Sequence, residues 1–234
     1  MNKFSRREVV SFATALALTT GRARGAEQWA EGRHYFKLNQ PQAPQTGAIT
    51  VTEIFSYGCP ACAGFLPFME GLVKKLPASV SVDYLPASWN PTENWPAFQR
   101  TYITAKALGA AAKAHAAMFA AVWKTGELAV VDATSGRAKS PLPSMQAVAS
   151  LYQRVAAVPS AKFLETARSF SVETEMKRSD ALIKTYRAEL TPTIIVNGKY
   201  RTDPRSAGGA QELADLALWL VLREQQAKSA NQRP

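Results

Sequence analysis

Both cysteines of this 234-residue chain stand three positions apart, as Cys59-Pro60-Ala61-Cys62, where one kind of hydrophobic spacing gives way to another. Before them, Ile49, Val51, Ile54 and Phe55 form an apolar strand run that ends at Ser56-Tyr57-Gly58. After them, Phe65, Phe68, Met69, Leu72, Val73 and Leu76 recur at helical spacing, and residues 80–85 alternate at period two as a second strand. The unit is strand, helix, strand, for which a right-handed crossover is expected. Two thiols at a helix start are close enough for a disulfide across one turn, and they face the positive end of the helix dipole. Pro60 lies in the first turn, where its missing N–H costs nothing. The pattern predicts a low-pKa thiolate at Cys59, the sulfur open to attack, with Cys62 turned toward the core.

Three other uses of such a pair fit less well. A zinc site needs two further ligands, and the chain offers only His34 and His115, so no metal is expected. Covalent haem attachment needs histidine at position 63, which is Ala63. A purely structural disulfide here would close too short a loop to constrain much of the unfolded chain.

The rest of the chain surrounds this unit. Residues 28–47 read as an extended or irregular lead-in, with Pro41 and Pro44 preventing regular structure. From about Trp95 to Glu189 the spacing is helical, in four to five segments near 105–122, 145–155, 160–170 and 171–190, with Pro141, Pro143 and Pro159 between them. His115 reads as a packed or exposed helix residue rather than a catalyst, and Trp89, Trp95 and Trp123 as core or cap-packing residues. Thr193-Ile194-Ile195-Val196 and Lys199-Tyr200-Arg201 flank Asn197-Gly198, a strong hairpin signal. A closing amphipathic helix follows over 213–222, then a polar tail.

With 47% hydrophobic and 20% charged residues the chain is globular rather than disordered or fibrous. Its net charge is +10, but the first 25 residues hold five basic groups and one acid, leaving about +6 for the remainder. No basic stripe suggests nucleic acid as a partner. Those first residues have the order of an export signal: a basic head, an apolar stretch over 9–20, then small residues at Ala23-Arg24-Gly25. Ser5-Arg6-Arg7-Glu8-Val9-Val10 also resembles a twin-arginine signal, and the Sec and twin-arginine routes both stay open. The apolar stretch is about a dozen residues, against about 20 for a membrane span.

Glu53-Ile-Phe-Ser-Tyr-Gly-Cys-Pro-Ala-Cys62, the helical block, Thr191-Pro192-Thr193 and Val196-Asn197-Gly198-Lys199-Tyr200 together resemble the DsbA-type periplasmic thiol:disulfide interchange proteins. The resemblance spans residues 35–222 and implies an α/β architecture, a thioredoxin fold with an inserted all-helical cap domain. On that basis residues 1–25 are an export signal, 26–90 and 189–228 the two parts of the thioredoxin-like domain, 91–188 the helical insertion and 229–234 a polar tail. It implies that Pro192 is cis and lies against the cysteines, leaving the backbone of Thr191 for an extended substrate. It also implies that Glu53 lies beneath the disulfide and moves the proton of Cys62, although an alternating strand could instead turn Glu53 to solvent. Two residues depart from the family pattern. Ala61 stands where the strongest oxidants carry histidine, and Leu66 replaces a frequent acid, so a milder oxidant is expected.

The implied activity is disulfide donation to exported proteins with free cysteines, followed by reoxidation by a membrane quinone-linked thiol oxidase of the DsbB kind. No cofactor is implied, and a periplasmic monomer is expected. The alternatives are a reductase or isomerase kept in the reduced state, and a non-catalytic peptide-binding chaperone. Isomerases of the superfamily usually dimerise through an N-terminal domain, for which residues 26–48 are too short.

Overall fold

The computed structural model describes residues 28–39, 41–42 and 48–231; the export signal expected at 1–25 lies outside them. Five strands form one mixed sheet in the order β1-β5-β4-β2-β3: β1 (Phe36–Lys37), β2 (Ile49–Phe55), β3 (Val80–Pro86), β4 (Thr193–Val196) and β5 (Tyr200–Thr202). β2 and β3 are parallel and joined through helix α1 (Pro60–Lys75), while β4 runs antiparallel to β2 on its other side. Ile49, Val51, Ile194 and Val196 share one face of the sheet and pack against Phe65, Met69 and Leu72 of α1 and Leu213, Leu216 and Leu220 of α8 (Ala210–Asn231).

Between β3 and β4 the chain forms a short 3-10 turn and five helices: α2 (Trp95–Ala107), α3 (Ala111–Trp123), α4 (Met145–Ala156), α5 (Ser160–Ala167) and α6 (Phe170–Thr185). Their core is continuous with the outer end of the sheet. Phe55, at the end of β2, meets Tyr84, Tyr102, His115 and Phe119 edge-on or tilted at 5.1 to 6.0 Å. A four-residue helix α7 (Pro204–Ala207), closed by an Asp203 capping box, leads into α8.

Three expectations need correction. The lead-in contains a strand, because Phe36 and Lys37 pair with Arg201 and Tyr200. Two residues of pairing leave no alternation to read. The helix expected over 105–122 is two helices: Gly109, at φ +67°, turns the chain between them, while alanines on both sides carry the helical pattern through the break. The closing helix expected over 213–222 is longer: α8 begins at Ala210 and runs on to Asn231, and the buried Glu224 in that extension bonds the hairpin. Trp89 packs on the cap, its ring 6.1 Å from that of Trp95 and tilted to it, and is still 41% exposed, whereas Trp95 is 8% exposed.

Candidate functional site

The N-terminus of α1 is built by its first residues. Cys59 is the N-cap, with extended backbone angles (φ −93°, ψ 117°), and its sulfur accepts from the Cys62 N–H at 3.4 Å. Pro60 occupies the first helical position and is exposed, as is Ala61. Ser56 prepares the turn: its hydroxyl accepts from the Gly58 N–H at 3.2 Å and its carbonyl from the Cys59 N–H at 3.1 Å. Both thiols are free, Cys59 5% exposed and Cys62 fully buried, so only the first presents sulfur to an incoming group.

The two thiols are driven in opposite directions. A hydrogen bond from the Cys62 thiol is the largest influence on Cys59; burial opposes it, and the Thr191 side chain and the amides of Cys62 and Ala61 add to it, bringing Cys59 to about 6. The Thr191 carbonyl, 3.5 Å from the Cys59 sulfur, accepts from the protonated thiol and favours that form, but the donors prevail. Burial above all holds the Cys62 thiol well above the usual range, helped by the charges of Cys59 and Glu53.

Glu53 stands on β2 opposite Tyr84 and Ile194, on the same face as Val51 and therefore beneath α1. It is 2% exposed, which excludes the solvent-facing orientation. Burial, and secondly the charge of Cys59, push its carboxyl up to about 8. On the other flank, the Thr191–Pro192 peptide is cis, and Thr191 and Pro192 are buried beside Cys59. The residues singled out by sequence thus converge: Glu53, Cys59, Pro60, Ala61, Cys62, Thr191 and Pro192 belong to one site.

Sequence reasoning missed the groups behind it. A Cβ on Gly58 would lie 2.7 Å from both the Glu93 carbonyl and the Trp95 indole, so this position accepts only glycine. That constraint comes from residues more than thirty positions away and leaves no local pattern. Among the described residues, no group of three or more His, Cys, Asp or Glu could hold a metal ion, and no helix is long and apolar enough to cross a membrane.

Two thiols on one helical turn, one inclined to ionise and the other to keep its proton, can open and close a disulfide, which places the molecule among the thiol:disulfide oxidoreductases of thioredoxin fold. No family model matches the chain. It is 33% identical over 214 residues to the thiol:disulfide interchange protein DsbA of Pseudomonas aeruginosa, covering 91% of this chain and 94% of that protein. It is equally 33% identical over 216 residues to DsbA of Pseudomonas syringae pv. tomato, covering 89% and 90%. The crystal structure of Pseudomonas aeruginosa DsbA matches with a TM-score of 0.74 at 32% identity, over 87% of this chain and 98% of that one. DsbA of Xylella fastidiosa matches with a TM-score of 0.72 at 27% identity, over 82% and 96%. The chain belongs to the DsbA family of thiol:disulfide interchange proteins.

Proposed function

We propose that this chain is an exported dithiol oxidase that gives its Cys59–Cys62 disulfide to folding proteins in the periplasm. The observation that carries the reading is the opposed drive on the two thiols, Cys59 down to about 6 and Cys62 upward. A substrate thiolate attacks the Cys59 sulfur; the Cys59–Cys62 bond breaks as the mixed disulfide forms, and the electron pair leaves on Cys62. Cys62 then takes the proton of the Glu53 carboxyl, whose pKa burial raises. A second substrate thiolate attacks the substrate sulfur of the mixed disulfide, and Cys59 departs as a thiolate. The substrate gives up two electrons and gains a disulfide, and the enzyme keeps the two electrons as a dithiol. Thr191, whose carbonyl already faces the Cys59 sulfur, offers a backbone edge to an extended substrate segment beside Pro192.

In this reading residues 1–25 are the export signal, residues 91–188 form a cap inserted into the thioredoxin-like domain, and the protein acts as a monomer. A membrane quinone-linked thiol oxidase of the DsbB kind restores the disulfide. Ala61 is exposed and supplies only its backbone amide to Cys59, which suits a milder oxidant.

Incubation with a reduced, unfolded protein tests the roles. Cys59→Ser abolishes exchange, whereas Cys62→Ser, given the same protein in its disulfide-bonded form, accumulates mixed disulfides on non-reducing gels: the Cys59 thiolate attacks a substrate disulfide and expels one substrate thiolate, and the resolving thiol is gone. Equal trapping by both variants reverses the assignment.

A further inference from the structure

The backbone that delivers Cys59 is held from behind by the helices between β3 and β4. Tyr57, two residues before Cys59, is gripped at two points: its carbonyl accepts from the Trp123 indole N–H at 2.8 Å, and its hydroxyl meets His115 Nδ1 at 3.1 Å. Both partners belong to α3. Phe119, one turn after His115, packs edge-on against the Tyr57 ring at 5.1 Å. The next residue, Gly58, bears the Trp95 indole, and its backbone runs directly into Cys59.

We propose that α3, through His115 and Trp123, positions Tyr57 and thereby sets the Cys59 sulfur against the amides of Ala61 and Cys62, making the cap part of what fixes the redox balance of the dithiol. The inference deepens the function proposed above and rests on it. His115 and Trp123 are positioning residues, since neither touches the sulfurs.

The chemistry of His115 argues for a task beyond filling space. It lies among Phe55, Tyr84, Tyr102 and Phe119, where a phenyl ring would pack as well. Burial lowers its pKa to about 4, so the ring is neutral at physiological pH. Nδ1 of the neutral imidazole is bonded to the Tyr57 hydroxyl, and Nε2 is buried without a hydrogen-bond partner among the described residues. An unpaired buried ring nitrogen is a cost that a phenyl ring would not carry. What the imidazole adds over phenylalanine is the bond to Tyr57. The carbonyl bond to Trp123 fixes where the Tyr57 backbone lies, and the hydroxyl bond fixes how its side chain is anchored. Together they leave the turn before Cys59 little freedom.

The test uses the whole protein, with folding checked by circular dichroism. His115→Phe keeps an aromatic ring and deletes the hydrogen-bonding nitrogen, Trp123→Phe deletes the indole donor, and His115→Gln restores a side chain that can bond the Tyr57 hydroxyl. The readouts are the thiolate absorbance titration of Cys59 and the redox equilibrium with glutathione. His115→Phe and Trp123→Phe are each expected to raise the Cys59 titration and shift the equilibrium toward the disulfide by roughly threefold to tenfold, the size of one net hydrogen bond. His115→Gln recovers most of that shift. Tyr57→Phe, which removes the same bond from its other end, reproduces the His115→Phe shift and serves where His115→Phe does not fold. Unmoved titrations and equilibria in the folded variants overturn the proposal, even if thermal stability changes. Wild-type protein that exchanges no disulfide overturns the proposed function instead.

Discussion

Two carboxyl groups are buried at opposite ends of the strands that form the middle of the sheet, and they have been given opposite characters. Glu224, on α8, receives hydrogen bonds from Asn197 and Lys199 at 2.7 Å and from Tyr200 at 3.0 Å, all three on or beside the β4–β5 hairpin. Burial pushes its pKa up, but those donors outweigh it and leave the group below the usual carboxylate range. Glu53 is the more deeply buried, 2% exposed against 6%, no donor among the described residues bonds its carboxyl, and it rises to about 8. Burial raises the carboxyl pKa in both places, and more at Glu53. Depth of burial and the presence of donors together decide whether a carboxylate becomes a fixed anchor or a group that holds a proton near neutral pH. The anchored one ties a helix to a hairpin, and the unanchored one sits under the dithiol.

The largest expected effect follows from the raised pKa of Glu53. A carboxyl whose folded pKa is raised stabilises the fold fully below its unfolded pKa of 4.5 and loses that contribution as pH rises toward about 8. Glu53→Gln removes the loss. Reduced wild type and variant should have similar urea stabilities near pH 4, and at pH 7 the variant should be ahead by about 3 kcal/mol. Its disulfide exchange should nevertheless be slower, because the proton for Cys62 is gone. A constant difference across pH would mean that Glu53 is ionised in the fold, and the contrast with Glu224 would collapse.

Glu224→Ala should act with the opposite sign. It leaves Asn197 and Tyr200 without their shared acceptor, and Lys199 can turn to water, so a loss of about 2 kcal/mol is expected in urea unfolding. Exchange per folded molecule should hold near the wild-type rate, since the hairpin lies at the far end of β4 from Thr191. A variant that kept its stability but lost exchange would make the anchor part of the chemistry.

These two residues also mark what a sequence can and cannot disclose. Glu53 was legible because it interrupts an apolar strand six positions before Cys59, and the periodicity on either side of it is local. The strand, helix, strand unit and the Asn197-Gly198 hairpin were legible for the same reason: each pattern is written within a few residues. Glu224 was read as part of a polar tail because its three partners lie some 25 residues away, and nothing in its own neighbourhood distinguishes it from Gln225 or Gln226. Tyr57, Gly58 and His115 failed to stand out for the same cause. The clearance at Gly58 is set by Glu93 and Trp95, and the value of His115 by a hydroxyl 58 positions earlier. Partial exposure was equally hidden: Trp89 packs on Trp95 and is still 41% exposed, and nothing local signals it.

The smallest effect separates the two causes acting on Glu53. Burial is the larger, and the charge of Cys59 is the second. Cys59→Ser removes that charge and leaves the strand, the helix and the buried position of Glu53 in place, because serine also caps a helix well. Titration of the Glu53 carboxyl by isotope-edited infrared spectroscopy should then give a value below about 8 but still well above 4.5, a change on the order of one pKa unit. Oxidation of the wild-type dithiol should move Glu53 in the same direction, since it too removes the thiolate. A return to 4.5 in Cys59→Ser would show that the neighbouring charge, and not the missing donors, keeps Glu53 protonated. Glu53 and Glu224 would then differ in the charges beside them rather than in how their burial is compensated.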